Sequence, residues 1–253
     1  MSRPTALVTG GTAGLGLAFA EALASRGHDL VLVARDGTRL ASVAAELSAR
    51  HGVAVDVLVA DLSDRDQLRV VEERVADRTR PVDLLVNNAG SGLRHGFLDN
   101  DVEAEQALLD VLVTAVLRLS HAALGAMVER GGGRVVNVSS VAGWLPRGTY
   151  SAAKAYVTSL SVWADLTYRD RGVRTMALCP GFVRTEFHQR MGVGRDAVPS
   201  LLWLDADAVV AEALRDLDRG RSVSVPDARY KVLATAARVV PARLQARLQQ
   251  LGR

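Results

Sequence analysis

Short apolar runs rich in β-branched residues alternate along this chain with longer segments of helical periodicity, and no other feature narrows its possible folds so far. Six runs, at 6–8, 30–33, 53–59, 84–86, 135–138 and 173–178, are predominantly apolar and read as buried parallel strands. The segments between them, such as 15–26, 39–50 and 67–78, are long enough for crossover helices. A seventh strand is expected at 222–225, after a helix near 207–217 and closed by Pro226. The expected architecture is α/β: a single Rossmann-like, doubly wound domain whose seven-stranded parallel sheet is flanked by helices. The 253 residues contain no Pro/Ser linker, repeat or low-complexity stretch that would divide them, so 1–253 reads as one domain. Its least regular stretch, 181–204, is a candidate flap over a site, and 227–253 is a basic, amphipathic extension.

The first run ends in Thr9-Gly10-Gly11-Thr12-Ala13-Gly14-Leu15-Gly16, where a helix begins. Gly10, Gly14 and Gly16 permit a tight turn and the close approach of a pyrophosphate to backbone amides at the positive helix end, so a dinucleotide site is expected here, with Thr12 and Leu15 in the turn. The second run ends Val33-Ala34-Arg35, where an NAD site would place an acidic residue against the ribose 2′-hydroxyl. The Arg35 guanidinium suits a 2′-phosphate and Ala34 brings no carboxylate to repel it, which favours NADP(H). The competing reading leaves Arg35 on the surface and gives the ribose to Asp36.

Tyr150 and Lys154, four residues apart, share one helix face. Lys154 is one of two lysines against 29 arginines, a bias suggesting that this position needs a compact ammonium on a flexible stem rather than a planar guanidinium. An ordinary exposed helical pair is the plain alternative.

With the glycine turn and the Tyr-Lys pair in one chain, the sequence resembles the short-chain dehydrogenase/reductase family over nearly its whole length. Further motifs carry the resemblance: Asp61-Leu62 after the third strand, Asn87-Asn88-Ala89-Gly90 after the fourth, Ser139-Ser140 after the fifth and Cys179-Pro180-Gly181 after the sixth. It implies that Asp61, with Leu62, meets the adenine, that Asn88, Ala89 and Gly90 line the cofactor with Pro180 and Gly181, and that Val183 and Thr185 hold the nicotinamide carboxamide. Local roles stand beside these: Asp61 as a helix cap, Asn87 and Asn88 as partners of turn amides. The resemblance also implies Tyr150 as the acid-base group, Lys154 as its electrostatic tuner and holder of the nicotinamide ribose, and Ser140 as the hydrogen-bonding partner of the substrate oxygen, with Ser139 as the other candidate. The side chains themselves argue for this chemistry. An isolated tyrosine, with a pKa of about 10, needs nearby positive charge to exchange its proton near neutrality. A serine hydroxyl can stabilise charge developing on the substrate oxygen during hydride transfer.

The chain departs from the family pattern in two places. An asparagine common in the fourth crossover helix, which helps hold a proton-relaying water, is replaced by Leu112 in Asp110-Val111-Leu112-Val113-Thr114. Leucine offers no hydrogen bond, so the relay is either rebuilt or bypassed. The segment between Ser140 and Tyr150, containing Trp144, Leu145 and Pro146, is two or three residues shorter than in many relatives. It either widens the substrate entrance or tightens a turn.

Phe97, Trp144, Phe182, Phe187, Met191, Leu201, Leu202, Trp203 and Leu204 fall in or near loops that the family folds over its substrate, which suggests an apolar ligand; core packing is the competing reading. His188 and Arg190 are candidates for a polar end. The tail, with Val232, Leu233, Val239, Val240, Leu244, Leu248 and Leu251 interspersed with arginines and interrupted by Pro241, resembles that of reductases acting on fatty-acyl or mycolate-type ketones. Packing within the chain or between subunits ranks above peripheral membrane contact for it.

Net charge is +3, and 219–253 hold eight basic residues and one acidic, a balance that favours a solvated helix face over an anionic partner. No recognition motif accompanies it, so no nucleic-acid partner is expected. The apolar stretch 108–128 is interrupted by Asp110, Arg118 and His121 and makes a poor membrane span. Met1-Ser2-Arg3-Pro4 runs straight into a strand without a signal-like apolar segment, so a cytoplasmic location is expected. The lone Cys179 cannot form an internal disulfide, and His28, His51, His95, His121 and His188 lack metal-ligand spacing, so no metal is expected. The resulting reading is an NADP(H)-dependent carbonyl reductase, interconverting a ketone and a secondary alcohol on an apolar substrate, with acyl-type ketones among the candidates. Its rival is a weakly catalytic or non-catalytic NADP-binding redox sensor, supported by Leu112 alone. The resemblance implies a homodimer or homotetramer built on helices around 101–127 and 150–169.

Overall fold

Side chains on the β-branched runs alternate between two apolar clusters, one on each side of a sheet, as a period of two requires. The computed structural model describes residues 3–187 and 199–239, apart from the side chains of 237–239. Within them, β1 (Thr5–Thr9), β2 (Asp29–Ala34), β3 (Val55–Val59), β4 (Leu84–Asn87), β5 (Gly133–Val138), β6 (Val173–Leu178) and β7 (Val223–Ser224) form a parallel sheet in the order β3-β2-β1-β4-β5-β6-β7. The chain winds outward from β1 to β3, then returns to the middle and winds from β4 to β7 on the other side. That reversal leaves a crevice beyond the carboxyl ends of β1 and β4, where ligands bind in such sheets.

The α-helices among the described residues are α1 (Gly14–Ser25), α2 (Gly37–His51), α3 (Arg65–Ala76), α4 (Val102–Leu109), α5 (Val116–Glu129), α6 (Gly148–Tyr168), α7 (Ala206–Asp218) and α8 (Ala228–Val239). Ala6 and Val8 pack with Phe19, Leu40 and Val209 from α1, α2 and α7, whereas Leu7 packs with Leu68, Leu119 and Ala164 from α3, α5 and α6. Length and composition alone would let Val102–Glu129 cross a membrane, as 108–128 was not expected to do. In the fold Leu108, Leu112, Leu119, Ala123 and Met127 are buried against the domain's own core.

Three expectations are corrected. β3 is not buried: it forms one edge of the sheet, and Val59 is 59% exposed. The last strand shrinks to two residues. The fourth crossover is not one α-helix, because a π-helical turn, Asp110–Ala115, separates α4 from α5 with Leu112 inside it.

A buried charge locks α6 to the sheet. Asp165, fully buried, accepts hydrogen bonds from Arg174 Nε (2.8 Å), Ser222 Oγ (2.6 Å), the Thr175 amide (3.1 Å) and Arg169 Nη2 (2.5 Å). Burial works to raise its pKa, but these donors outweigh it and hold the carboxyl down at about 2.

Candidate active site

Helices α2, α3 and α4 each begin with an aspartate, Asp36, Asp64 and Asp101, whose carboxylate accepts from first-turn amides. Helix α1 differs: Ala13 stands at its cap and supplies no side-chain acceptor, so its leading amides remain available to an external anion. Gly10 takes φ +66° and Gly14 φ +52°, a region L side chains avoid. A Cβ on Gly16 would lie 2.1 Å from Gly10 O, so only glycine lets α1 press against the turn. This cradle fits a dinucleotide pyrophosphate.

The turn is braced by residues the sequence left without that role. Thr9 Oγ1 accepts from the amides of Asn88 and Ala89, both at 3.0 Å, while Asn88 Nδ2 donates to Thr9 O (2.9 Å) and Gly10 O (3.3 Å). Asn88 therefore satisfies turn carbonyls rather than turn amides. Asn87 points the other way, donating to Ser120 Oγ and Asn137 Oδ1, and Asn137 donates on to Ser161 Oγ. Gly90 is exposed at the end of this segment.

Arg35 lies at the end of β2 with its side chain 72% exposed, paired loosely at 3.6 Å with Asp61. Asp36 is occupied as the cap of α2, accepting from Arg39 N at 3.0 Å, whereas the exposed Arg35 guanidinium is held only by its loose pairing with Asp61. Asp61 does not cap α3, a task done by Asp64. Burial pushes its carboxyl up, but hydrogen bonds from Ser63 and the Arg35 charge prevail and hold it below the usual range. Leu62 is buried in the core.

Tyr150, Lys154, Ser139 and Ser140 meet where β5 ends and α6 begins. Lys154 is buried, and its Nζ donates to Val138 O at 2.7 Å while standing 5.6 Å from the centre of the Tyr150 ring, so the pair is not an exposed one. Burial pushes Lys154 down to about 8, with Cys179 working weakly the other way. Burial pushes the Tyr150 hydroxyl up to about 12, against a smaller pull from its hydrogen bond with Ser140. The two serines divide cleanly. Ser139 Oγ is taken by Lys154 O and Thr158 Oγ1, each at 2.7 Å, whereas Ser140 Oγ accepts from Ala142 N at 3.1 Å and faces Tyr150. Thr158, one helical turn beyond Lys154, was detectable from its spacing but carried no motif.

The short segment after Ser140 forms a 3₁₀ turn, Val141–Trp144, that lies directly on α6: a Cβ on Gly143 would come within 2.9 Å of Lys154 C and Ala155 N. Leu112 packs with Leu108 and Ala153 and against the partly buried Tyr150, so an apolar plug stands where the family pattern has a polar side chain.

On the opposite wall, three successive residues touch three parts of the cleft. Thr185 meets Gly14, where an added Cβ would be 3.0 Å from it. Glu186 forms a two-pronged ion pair with Arg39 at 2.7 and 3.2 Å. The Phe187 ring lies 6.0 Å from that of Tyr150. Behind them Val183 pairs with Leu204, and Leu204 N donates to Phe182 O at 2.7 Å, closing the base of segment 181–204. Pro180, Val183 and Leu204 are buried, so Leu204 belongs to the core rather than to a substrate pocket, and the Val183 side chain packs in the same core cluster. Phe182 and Trp203 pack together at 5.6 Å, and Phe97 and Leu201 are exposed. His188, Arg190 and Met191, and the tail positions from Val240 onward, lie outside the described residues.

Comparison with known proteins gives a consistent result. The family described as short chain dehydrogenase matches residues 4–195. A short-chain dehydrogenase from Sphingobium yanoikuyae, solved in complex with NADPH, is 38% identical, with 92% of this chain and 93% of that one covered and a TM-score of 0.85. A bulky-bulky ketone specific alcohol dehydrogenase from Comamonas testosteroni is 33% identical over 93% of this chain and 92% of that one, with a TM-score of 0.82. The 3-oxoacyl-[acyl-carrier-protein] reductase of Synechocystis is 33% identical over 195 residues, 76% of this chain and 78% of that protein.

Proposed function

We propose that this chain, which belongs to the short chain dehydrogenase family, is an NADP(H)-dependent carbonyl reductase that interconverts an apolar ketone and its secondary alcohol. The observation that carries this reading is the buried Lys154 ammonium beside the Tyr150 ring, with Ser140 hydrogen-bonded to the tyrosine. The glycine turn and the uncapped end of α1 would hold the pyrophosphate, Arg35 a 2′-phosphate, and the segment from Gly181 to Thr185 the nicotinamide end. NADPH, when bound, supplies the hydride. Tyr150 donates its proton to the carbonyl oxygen, Ser140 hydrogen-bonds that oxygen as it gains charge, and the Lys154 ammonium stabilises the phenolate left behind. Phe187 and Trp144 supply apolar surface at the site. The named substrates of the Comamonas testosteroni and Synechocystis relatives support a large or acyl-type ketone here.

The protein is proposed to act as a homodimer or homotetramer through α5 and α6, where Trp163 and Leu166 are 53% and 61% exposed. The catalytic reading is tested with a panel of bulky and acyl ketones, monitoring NADPH and NADH oxidation. Turnover is expected with NADPH in preference to NADH, and Tyr150→Phe should lose on the order of 10²–10⁴-fold in kcat. NADPH binding with no turnover of any ketone would overturn the reading.

A further inference from the structure

Beyond the end of the family match at residue 195, the chain returns to the site through α8. The helix opens at Asp227, whose φ of +76° is unusual for a residue with a side chain, and whose carboxylate accepts from Arg229 N at 2.8 Å. This turn carries the next residues onto segment 181–204. Arg229 donates to Leu201 O. Tyr230, almost completely buried, donates from its hydroxyl to Leu202 O at 2.8 Å and accepts from Phe182 N at 3.1 Å. One phenol oxygen thus joins both limbs of the segment, just behind the rung between Val183 and Leu204. The ring of Tyr230 also lies against Gly181: a Cβ there would fall 1.9 Å from its Cζ. A side chain at position 181 would have no room, because the buried Tyr230 ring occupies that space.

We propose that Tyr230 is a positioning residue of the active site, fixing the backbone of Gly181 and Phe182 and so the wall that receives the nicotinamide end of the cofactor. This rests on the reductase reading for its kinetic consequence, though not for its structural one. Buried hydroxyls need partners, and Tyr230 satisfies one backbone donor and one backbone acceptor that are remote in sequence but adjacent in space. Burial pushes its hydroxyl up, so it retains its proton, and with it both hydrogen bonds, at neutral pH. The same helix packs on the 3₁₀ turn that follows Ser140, and Tyr230 shares a cluster with Val141, Phe182 and Leu202. Helix α8 therefore braces both sides of the site mouth. The glycine turn and Arg35 belong to other strands and do not depend on it. Loosening Tyr230 should misplace the reacting end of the cofactor while leaving the phosphate-binding end intact, and a small misplacement of reacting groups is costly in rate.

The test uses Tyr230→Phe, which keeps the ring on Gly181 and removes only the hydroxyl, with Tyr230→Leu as the stronger change. Leu217→Ala, a core variant in α7, controls for lost stability alone. In the full-length protein, Tyr230→Phe is expected to lower kcat about tenfold, to leave KM for NADPH within about twofold, and to raise the isotope effect with deuterated NADPH. Leu217→Ala is expected to lower the Tm with kcat unchanged. In the free protein, amide hydrogen exchange at 181–183 is expected to accelerate about tenfold in Tyr230→Phe, with exchange in β1 and β4 unaltered. A Tyr230→Phe protein with parental kcat and isotope effect reduces the residue to a structural one, and parental exchange at 181–183 overturns the inference outright. Absence of turnover in the unaltered protein would instead defeat the reductase reading, and the exchange measurement would then decide the role of Tyr230 alone.

Discussion

Burial determines what Tyr150 and Lys154 are able to do. With its hydroxyl raised to about 12, Tyr150 holds its proton through the neutral range. Lys154, lowered to about 8, carries its charge below that pH and loses it above. Ketone reduction is therefore expected to fall as pH rises through about 8, read from kcat/KM against pH. The stability effect of the same group has the opposite sign. Because its folded pKa lies below the ordinary 10.5, the penalty for burying an ammonium is fully present below about pH 8 and is relieved between the two values. Lys154→Met should consequently unfold in urea at pH 7 with about 1–2 kcal/mol more stability, after allowing for the lost bond to Val138 O, while losing at least about a hundredfold in kcat. A destabilised variant would mean that this bond outweighs the burial penalty. The Tyr-Lys pair was visible in the sequence because its spacing is local. The division of labour between Ser139 and Ser140 was not, since two adjacent serines on one strand end differ only in which neighbour each one faces.

Among the elements, α6 shows how a helix that carries the proposed site residues is held. One end carries Tyr150 and Lys154; the other is fastened through Asp165 to Arg174 on β6 and to Ser222. The Asp165 carboxyl is held at about 2, under its ordinary 3.8, so its contribution is fully present above 3.8 and is lost as pH falls through about 2. Asp165→Ala strands buried donors and should cost about 3–5 kcal/mol at pH 7. Asp165→Asn keeps the shape and should flatten the fall in stability between pH 3.8 and about 2, measured by denaturant titration at each pH. An unchanged acid limb would assign that fall to other carboxylates. The strands and most helices were legible because apolar period and turn residues act over a few positions. The π-helical turn at Asp110–Ala115 and the exposure of β3 were not, because a helical pattern does not show where its register slips and a strand's sequence does not show that it lies at a sheet edge.

For the whole molecule, α6 exposes Trp163 and α5 exposes Leu117, large apolar side chains left in water on two of the helices proposed for assembly. Trp163→Glu is expected to shift the protein to a smaller species in light scattering; an unchanged mass would remove this face from the assembly. The parallel α/β architecture, the glycine turn, Arg35 and the Tyr-Lys pair are legible in the chain, because each depends on side-chain period or on neighbours within a turn or two. Folding alone settles which serine faces Tyr150, that Asn88 braces the glycine turn, that Leu112 packs as an apolar plug, and that Tyr230 reaches back over nearly 50 positions to Gly181 and Phe182. Those choices rest on contacts between segments distant in the chain, and the partners that satisfy a buried polar group are settled only when the fold brings them together.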